Sequence, residues 1–160
     1  VLLSGFSIGI ISKNHLEQCM LNLELLMADP KKSEEGVWAE YATGKFLIAR
    51  YNSERATQLR SELASKHYEQ ITSPDKSVAE ATANKIEVEV TAKELLLDWE
   101  NIYFGGEKID YTPEQGIKFL GNPALKDLLT FVTNFSLNRM NYRDKIEFEV
   151  TESVKDLSDS

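Results

Sequence analysis

Two histidines, one cysteine and a spread of carboxylates are the groups in this sequence with the clearest claim to chemistry. His67 falls in a polar helical stretch and His15 lies before the motifs described below, so no serine, histidine and acid can be assembled into a nucleophile with its base. Cys19 stands alone, which excludes an internal disulfide and a cysteine-based zinc site, and fits a reducing compartment. Asp98, Glu100, Glu107, Asp110 and Glu114 are close in sequence and carry oxygen ligands. Their spacing follows no calcium-loop pattern, and a solvated acidic rim is the expectation. Gly105-Gly106 reads as a turn: the Glu107 that follows would repel a phosphate approaching the backbone amides. The expectation is a protein that is not an enzyme and uses no cofactor or metal.

Aromatic side chains leave a different possibility. Trp38, Tyr41, Trp99, Tyr103, Phe104 and Tyr111 could all be core, the usual fate of large rings. Some could instead line a groove for a partner helix, because aromatic anchors dominate protein interfaces. The sequence leaves both readings open for each residue.

The elements that must position these residues begin after Asp29 to Gly36, where Pro30 and a charge run predict a loop. Val37 to Ala42 and Lys45 to Tyr51 are rich in strand formers, and Gly44 is placed for a tight turn, so a β-hairpin is expected. Phe46, Ile48 and Arg50 fall on one face of its second strand, with Leu47, Ala49 and Tyr51 on the other. Asn52 or Ser53 caps a helix running to about Gln70, with Leu59, Leu63, Tyr68 and Ile71 as its stripe and Glu62 paired with Lys66. Ser73 and Pro74 predict the start of a longer helix reaching Trp99 through Ala79, Ala83, Ile86, Val90 and Leu97. The β-branched run Ile86 to Thr91 is its weak point. A short extended stretch, Lys108 to Tyr111, follows the glycine turn.

Thr112, Pro113 and Gln115 then make a capping-box start. That helix ends near Gly121-Asn122. Pro123 opens another, with Leu125, Leu128, Leu129, Val132 and Phe135 on its inner face. The fold class expected is α+β: a mostly helical single domain with an N-terminal hairpin packed against four or five helices.

At 160 residues the chain has the length of one domain, and 42% hydrophobic with 28% charged residues is ordinary globular composition. Its net charge of −8 opposes nucleic acid binding, and the only adjacent basic pair, Lys31-Lys32, is followed at once by Glu34 and Glu35. Val1 to Ile11 is apolar but too short to span a bilayer and lacks the flanks of a secretory signal. The expected organisation is an extension over 1–28, a domain over 29–143 and an acidic tail over 144–160, part of which could be helical from Ile146 to Leu157. Met20 or Met27 could mark the true start, making the residues before them an upstream extension.

Two segments carry a family likeness. Phe46-Leu47-Ile48-Ala49-Arg50-Tyr51-Asn52 resembles the Phe-x-Ile-Ala-Arg-x-Asn strand that leads into a helix in tail assembly chaperones of long-tailed bacteriophages. Leu96-Leu97-Asp98-Trp99, Gly106 and Tyr111-Thr112-Pro113-Glu114 are similar to a later pattern of that family, in the same order. The likeness covers about residues 36 to 140. It implies a non-enzymatic protein of the infected host's cytoplasm, absent from the mature virion. Such a protein would coat the tape measure protein, keep it soluble and help recruit tail tube protein. Nucleic acid and membrane are not among the implied partners, and self-association is left open. Phe46, Ile48, Arg50, Asn52, Trp99 and Tyr111 become candidates for partner binding or for a structural signature. The alternatives are a structural phage neck or tail-completion protein, and a small host protein-interaction domain.

Overall fold

The computed structural model describes residues 22–143. The apolar run Val1 to Ile11, most of the expected extension and the acidic tail lie outside the described residues. After a 3₁₀ turn, Leu23–Leu26, the first helix is α1, Pro30–Glu35, where a loop was expected. Asp29 caps it by accepting from the amides of Lys31 and Lys32, Pro30 holds the first helical position, and Lys31 reaches Glu35 at 3.9 Å. The charge run that suggested a loop is thus the solvent side of a single helical turn and a half.

The hairpin forms as expected, from β1, Val37–Tyr41, and β2, Gly44–Ile48. Its turn is built differently. Tyr41 pairs with Gly44, which leaves Ala42 and Thr43 as the loop, and Ala42 takes the left-handed conformation with φ 53°. Gly44 is a strand residue, and a Cβ there would lie 2.8 Å from Ile102 Cδ1 and 3.2 Å from the Phe46 ring, so a larger residue would make those side chains shift. Alanine at a left-handed position costs about 1 kcal/mol relative to glycine. Ala42→Gly is therefore expected to raise unfolding free energy by about that amount, read as a higher urea midpoint at unchanged slope; an unchanged or lower midpoint would contradict this account of the turn.

Ser53 caps α2, Glu54–Lys66, by accepting from Ala56 N. The helix stops at His67, and a single turn, α3, Tyr68–Ile71, follows. Leu63 is buried, with Leu59 and Ile71 packed beside it, but Tyr68 turns outward because the break at His67 changes the helical phase. The Glu62 carboxylate takes the Gln58 amide at 3.0 Å.

The largest departure from expectation comes next. α4 spans Lys76–Val90 and starts two residues late: Ser73 Oγ accepts from Asp75 N, and Asp75 caps the helix through Ser77 N. The helix does not reach Trp99. One wide turn, Thr91–Leu95, closes with Leu96 N donating to Thr91 O, and the chain then extends as β3, Leu96–Glu100. β3 lies antiparallel to β2, with Trp99 opposite Phe46 and Leu96 opposite Ile48 across a bulge. Leu95-Leu96-Leu97 is apolar at either period, so a strand edge waiting on β2 decides the outcome.

The sheet order is β1-β2-β3. A separate small hairpin, β4, Tyr103–Phe104, with β5, Glu107–Lys108, replaces the single extended stretch expected there. α5, Pro113–Leu120, starts at the Thr112 cap as predicted, with Gln115 N donating to Thr112 Oγ1. A 3₁₀ turn, Pro123–Leu125, leads into α6, Lys126–Leu137, and another, Arg139–Tyr142, follows it. The architecture is an α+β single domain, mostly helical, with a small antiparallel sheet near its N-terminal side. The inner sheet face meets α5 and α6 in one core of Ala39, Phe46, Ile48, Leu96, Trp99, Phe119 and Val132. Ala56, Leu63, Ile86, Val90 and Leu95 form a second core between α2 and α4.

Candidate partner-binding surface

The six residues singled out in the sequence fall into two groups. Phe46, Ile48 and Trp99 are buried in the main core, where Phe46 faces Trp99 across β2 and β3. Tyr111 joins them: its ring meets Trp99 edge-on at 4.8 Å, and its hydroxyl donates to Ala92 O in the wide turn. Arg50 and Asn52 lie apart from this set, in the tight turn before α2, where Ser53 N donates to Arg50 O. Asn52 is exposed and Arg50 half-buried; Arg50 N donates to Ser33 O at 2.9 Å.

Each contact has a local origin. Trp99 alternates inward on β3, and its indole N–H donates to Ile109 O at 2.7 Å, fixing the chain that leaves the small hairpin. Burial is the main reason the Tyr111 hydroxyl has a pKa above its ordinary value, with the Asp98 and Glu114 carboxylates adding to it. Gly116 lets α5 approach closely: a Cβ there would meet Tyr111 Oη at 2.7 Å and Ala92 Cβ at 3.0 Å. Tyr142 is fully buried after α6, with its hydroxyl 3.1 Å from both Ile48 O and Ala49 O. Burial raises its pKa too, opposed in part by Arg50.

Accessible apolar groups gather elsewhere, at the β1 edge and the end of α6. Trp38 is 45% exposed, Leu137 56% and Met140 59%, too much for core residues. Tyr41 stacks on Phe131 at 4.6 Å with its outer surface open. Val37, Trp38, Phe135 and Met140 wall a cleft of about 560 Å³, with Lys32 and Arg143 as its charged lining. Lys32 Nζ donates to Arg143 O at 3.4 Å and Arg143 Nη1 lies 3.0 Å from Met140 Sδ, so local contacts hold this wall.

β1 has a strand partner on one side only among the described residues, so alternate amides and carbonyls along its outer edge face away from the sheet. Cleft and edge together can receive an apolar helix face or an added strand. Trp38 and Tyr41 stood among the sequence's aromatic candidates. Phe135, expected on the inner face of its helix, does pack against the main core and also walls the cleft, while Leu137 and Met140 were missed. The available signal was that 137 falls off the stripe of 128, 132 and 135.

Among the described residues no group of three histidine, cysteine or acidic side chains is placed to hold a metal ion, and no helix is long and apolar enough to cross a membrane. The family model described as YdaY prophage protein matches residues 51–152. The second of the two signature segments lies inside that match, while the β1–β2 hairpin precedes it. No curated protein and no solved structure matches the chain.

Proposed function

The chain belongs to the YdaY prophage protein family, and from that premise we propose that this phage-derived protein is a tail assembly chaperone. It acts without catalysis in the host cytoplasm, covers apolar stretches of the tape measure protein, helps recruit tail tube protein, and stays out of the finished virion. The observation that carries this reading is the open cleft beside the β1 edge, where Trp38, Phe135 and Met140 offer apolar surface next to a strand edge that has no strand partner among the described residues. An amphipathic helix needs such a surface to bury its apolar face, and aromatic anchors supply most of the binding energy. The net charge of −8 keeps a coated complex soluble through repulsion between copies.

Co-expression with the tape measure protein of the same phage tests the proposal. The soluble fraction of that partner is expected to rise, and Trp38→Ser with Met140→Ser is expected to remove the gain. Both side chains are exposed, so the double variant should melt within about 1 kcal/mol of the parent. An unchanged soluble fraction, together with detection of this chain in purified virions, would identify a structural tail component instead.

A further inference from the structure

We infer that the β4–β5 hairpin is a second docking arm, which takes an apolar segment of another protein flanked by lysine or arginine. Tyr103 and Phe104 are adjacent on β4 and are 64% and 57% exposed. Successive strand residues face opposite ways. Phe104 leans on Phe119, with ring centroids 5.2 Å apart, while Tyr103 sits across from Lys108. The arm is held in shape before any partner arrives. Gly105 and Gly106 both have positive φ, 62° and 85°, as a type I′ turn requires. Ile109 N donates to Ile102 O at the base, where the Trp99 indole also bonds Ile109 O. The tip stands clear of the body: a Cβ added at either glycine would meet nothing within 4 Å.

A short hairpin left to itself is marginal in water, so this anchoring lowers the ordering cost of presenting two aromatic rings. Charge selects the occupant. Residues 98–114 hold five carboxylates (Asp98, Glu100, Glu107, Asp110, Glu114) and one cation (Lys108), a net −4 against −8 for the whole chain. That one cation is itself 4.0 Å from Asp110. This stretch therefore carries half the chain's net charge, with Glu107 directly opposite Phe104. Lys45 opposite Glu100 and Lys118 over the Phe119 ring are cations packed beside it, and the carboxylates still outnumber them, which attracts a cationic partner and repels an acidic one. The cleft beside β1 has the opposite lining, Lys32 and Arg143, so the two surfaces favour differently charged partners.

The probes are two synthetic amphipathic peptides of about 18 residues, long enough for several helical turns, with one leucine pattern and either lysine or glutamate on the polar face. Each is titrated into the full chain at about 50 mM and about 500 mM salt, which changes the screening length severalfold. The lysine peptide is expected to bind at least about tenfold tighter than the glutamate peptide, and to weaken in high salt. Tyr103→Ser, and separately Glu107→Lys with Asp110→Lys, should each weaken it by about tenfold at unchanged melting temperature.

Equal binding of the two peptides would overturn the inference, as would parental affinity in the charge-reversed variant. That variant alters exposed carboxylates only, so it decides the matter even if Tyr103→Ser loosens the fold. Trp38→Ser with Met140→Ser should leave lysine-peptide binding intact, which separates failure here from failure of the chaperone reading.

Discussion

Trp99→Ala is expected to destabilise the domain by about 3 to 5 kcal/mol, the range for removing a large aromatic from a packed core. Trp99 is only 5% exposed, faces Phe46 across the sheet, and meets Tyr111 and Phe119 edge-on at 4.8 and 6.0 Å. Alanine would leave a cavity among these rings and remove the indole N–H from Ile109 O. Trp99→Phe separates the two effects: it keeps most of the ring contact and loses the hydrogen bond, a change nearer 1 kcal/mol. Urea melts of both variants give the numbers. Near-parental melting of Trp99→Ala with lost partner binding would instead make Trp99 an anchor for the partner, contrary to its place in the core.

The second large effect is alkaline. Burial raises the pKa of both Tyr111 and Tyr142 above the ordinary phenol value of 10, and nearby carboxylates raise Tyr111 further. The fold thus favours the neutral phenols, so their contribution is complete below pH 10. It is lost as pH rises beyond that, because the unfolded chain releases two protons that the folded chain keeps. Linkage sets the loss at about 1.4 kcal/mol per pH unit for each such group, or on the order of 5 kcal/mol for both by about pH 12. Tyr51 shifts in the same direction, through burial first and then Glu87, although Arg60 lies 4.1 Å over its ring and opposes the change. Urea midpoints measured from pH 9 to pH 12 should fall steeply, and Tyr142→Phe should make the fall shallower by one group's share. A flat profile over that interval would mean that neither hydroxyl is held in its neutral form.

Much of this fold was legible where local chemistry decides it. Thr112, Pro113 and Gln115 start α5, and Ser53 caps α2, because a cap is settled by residues within one turn of it. Legibility fails where a distant element casts the deciding vote. Leu96 to Trp99 fits a helix by period, and only the free edge of β2 makes it a strand. Gly44 looked like the turn residue, but it is the first residue of β2, and the space beside it is filled by Ile102 from far along the chain. The site divides in the same way. Phe46, Ile48 and Trp99 stand out in sequence as strand and signature residues, and they proved to be core. Trp38 lies far in sequence from Leu137 and Met140, and the closeness of β1 to the segment after α6 that makes Trp38 and Met140 walls of one cleft is a property of the folded chain.

The wide turn at Thr91–Leu95 also sets where this chain can change length during evolution. It spends one residue more than an ordinary helical turn, and that extra residue sets the facing of everything after it. Losing it would send Trp99 and Leu96 to the opposite side of the sheet, since a strand has a period of two. Gly105-Gly106 is the reverse case, a tip whose surroundings are empty and whose ladder closes below it. Insertions and deletions among relatives should therefore accumulate at the hairpin tip, while the stretch from Val90 to Glu100 keeps a fixed count.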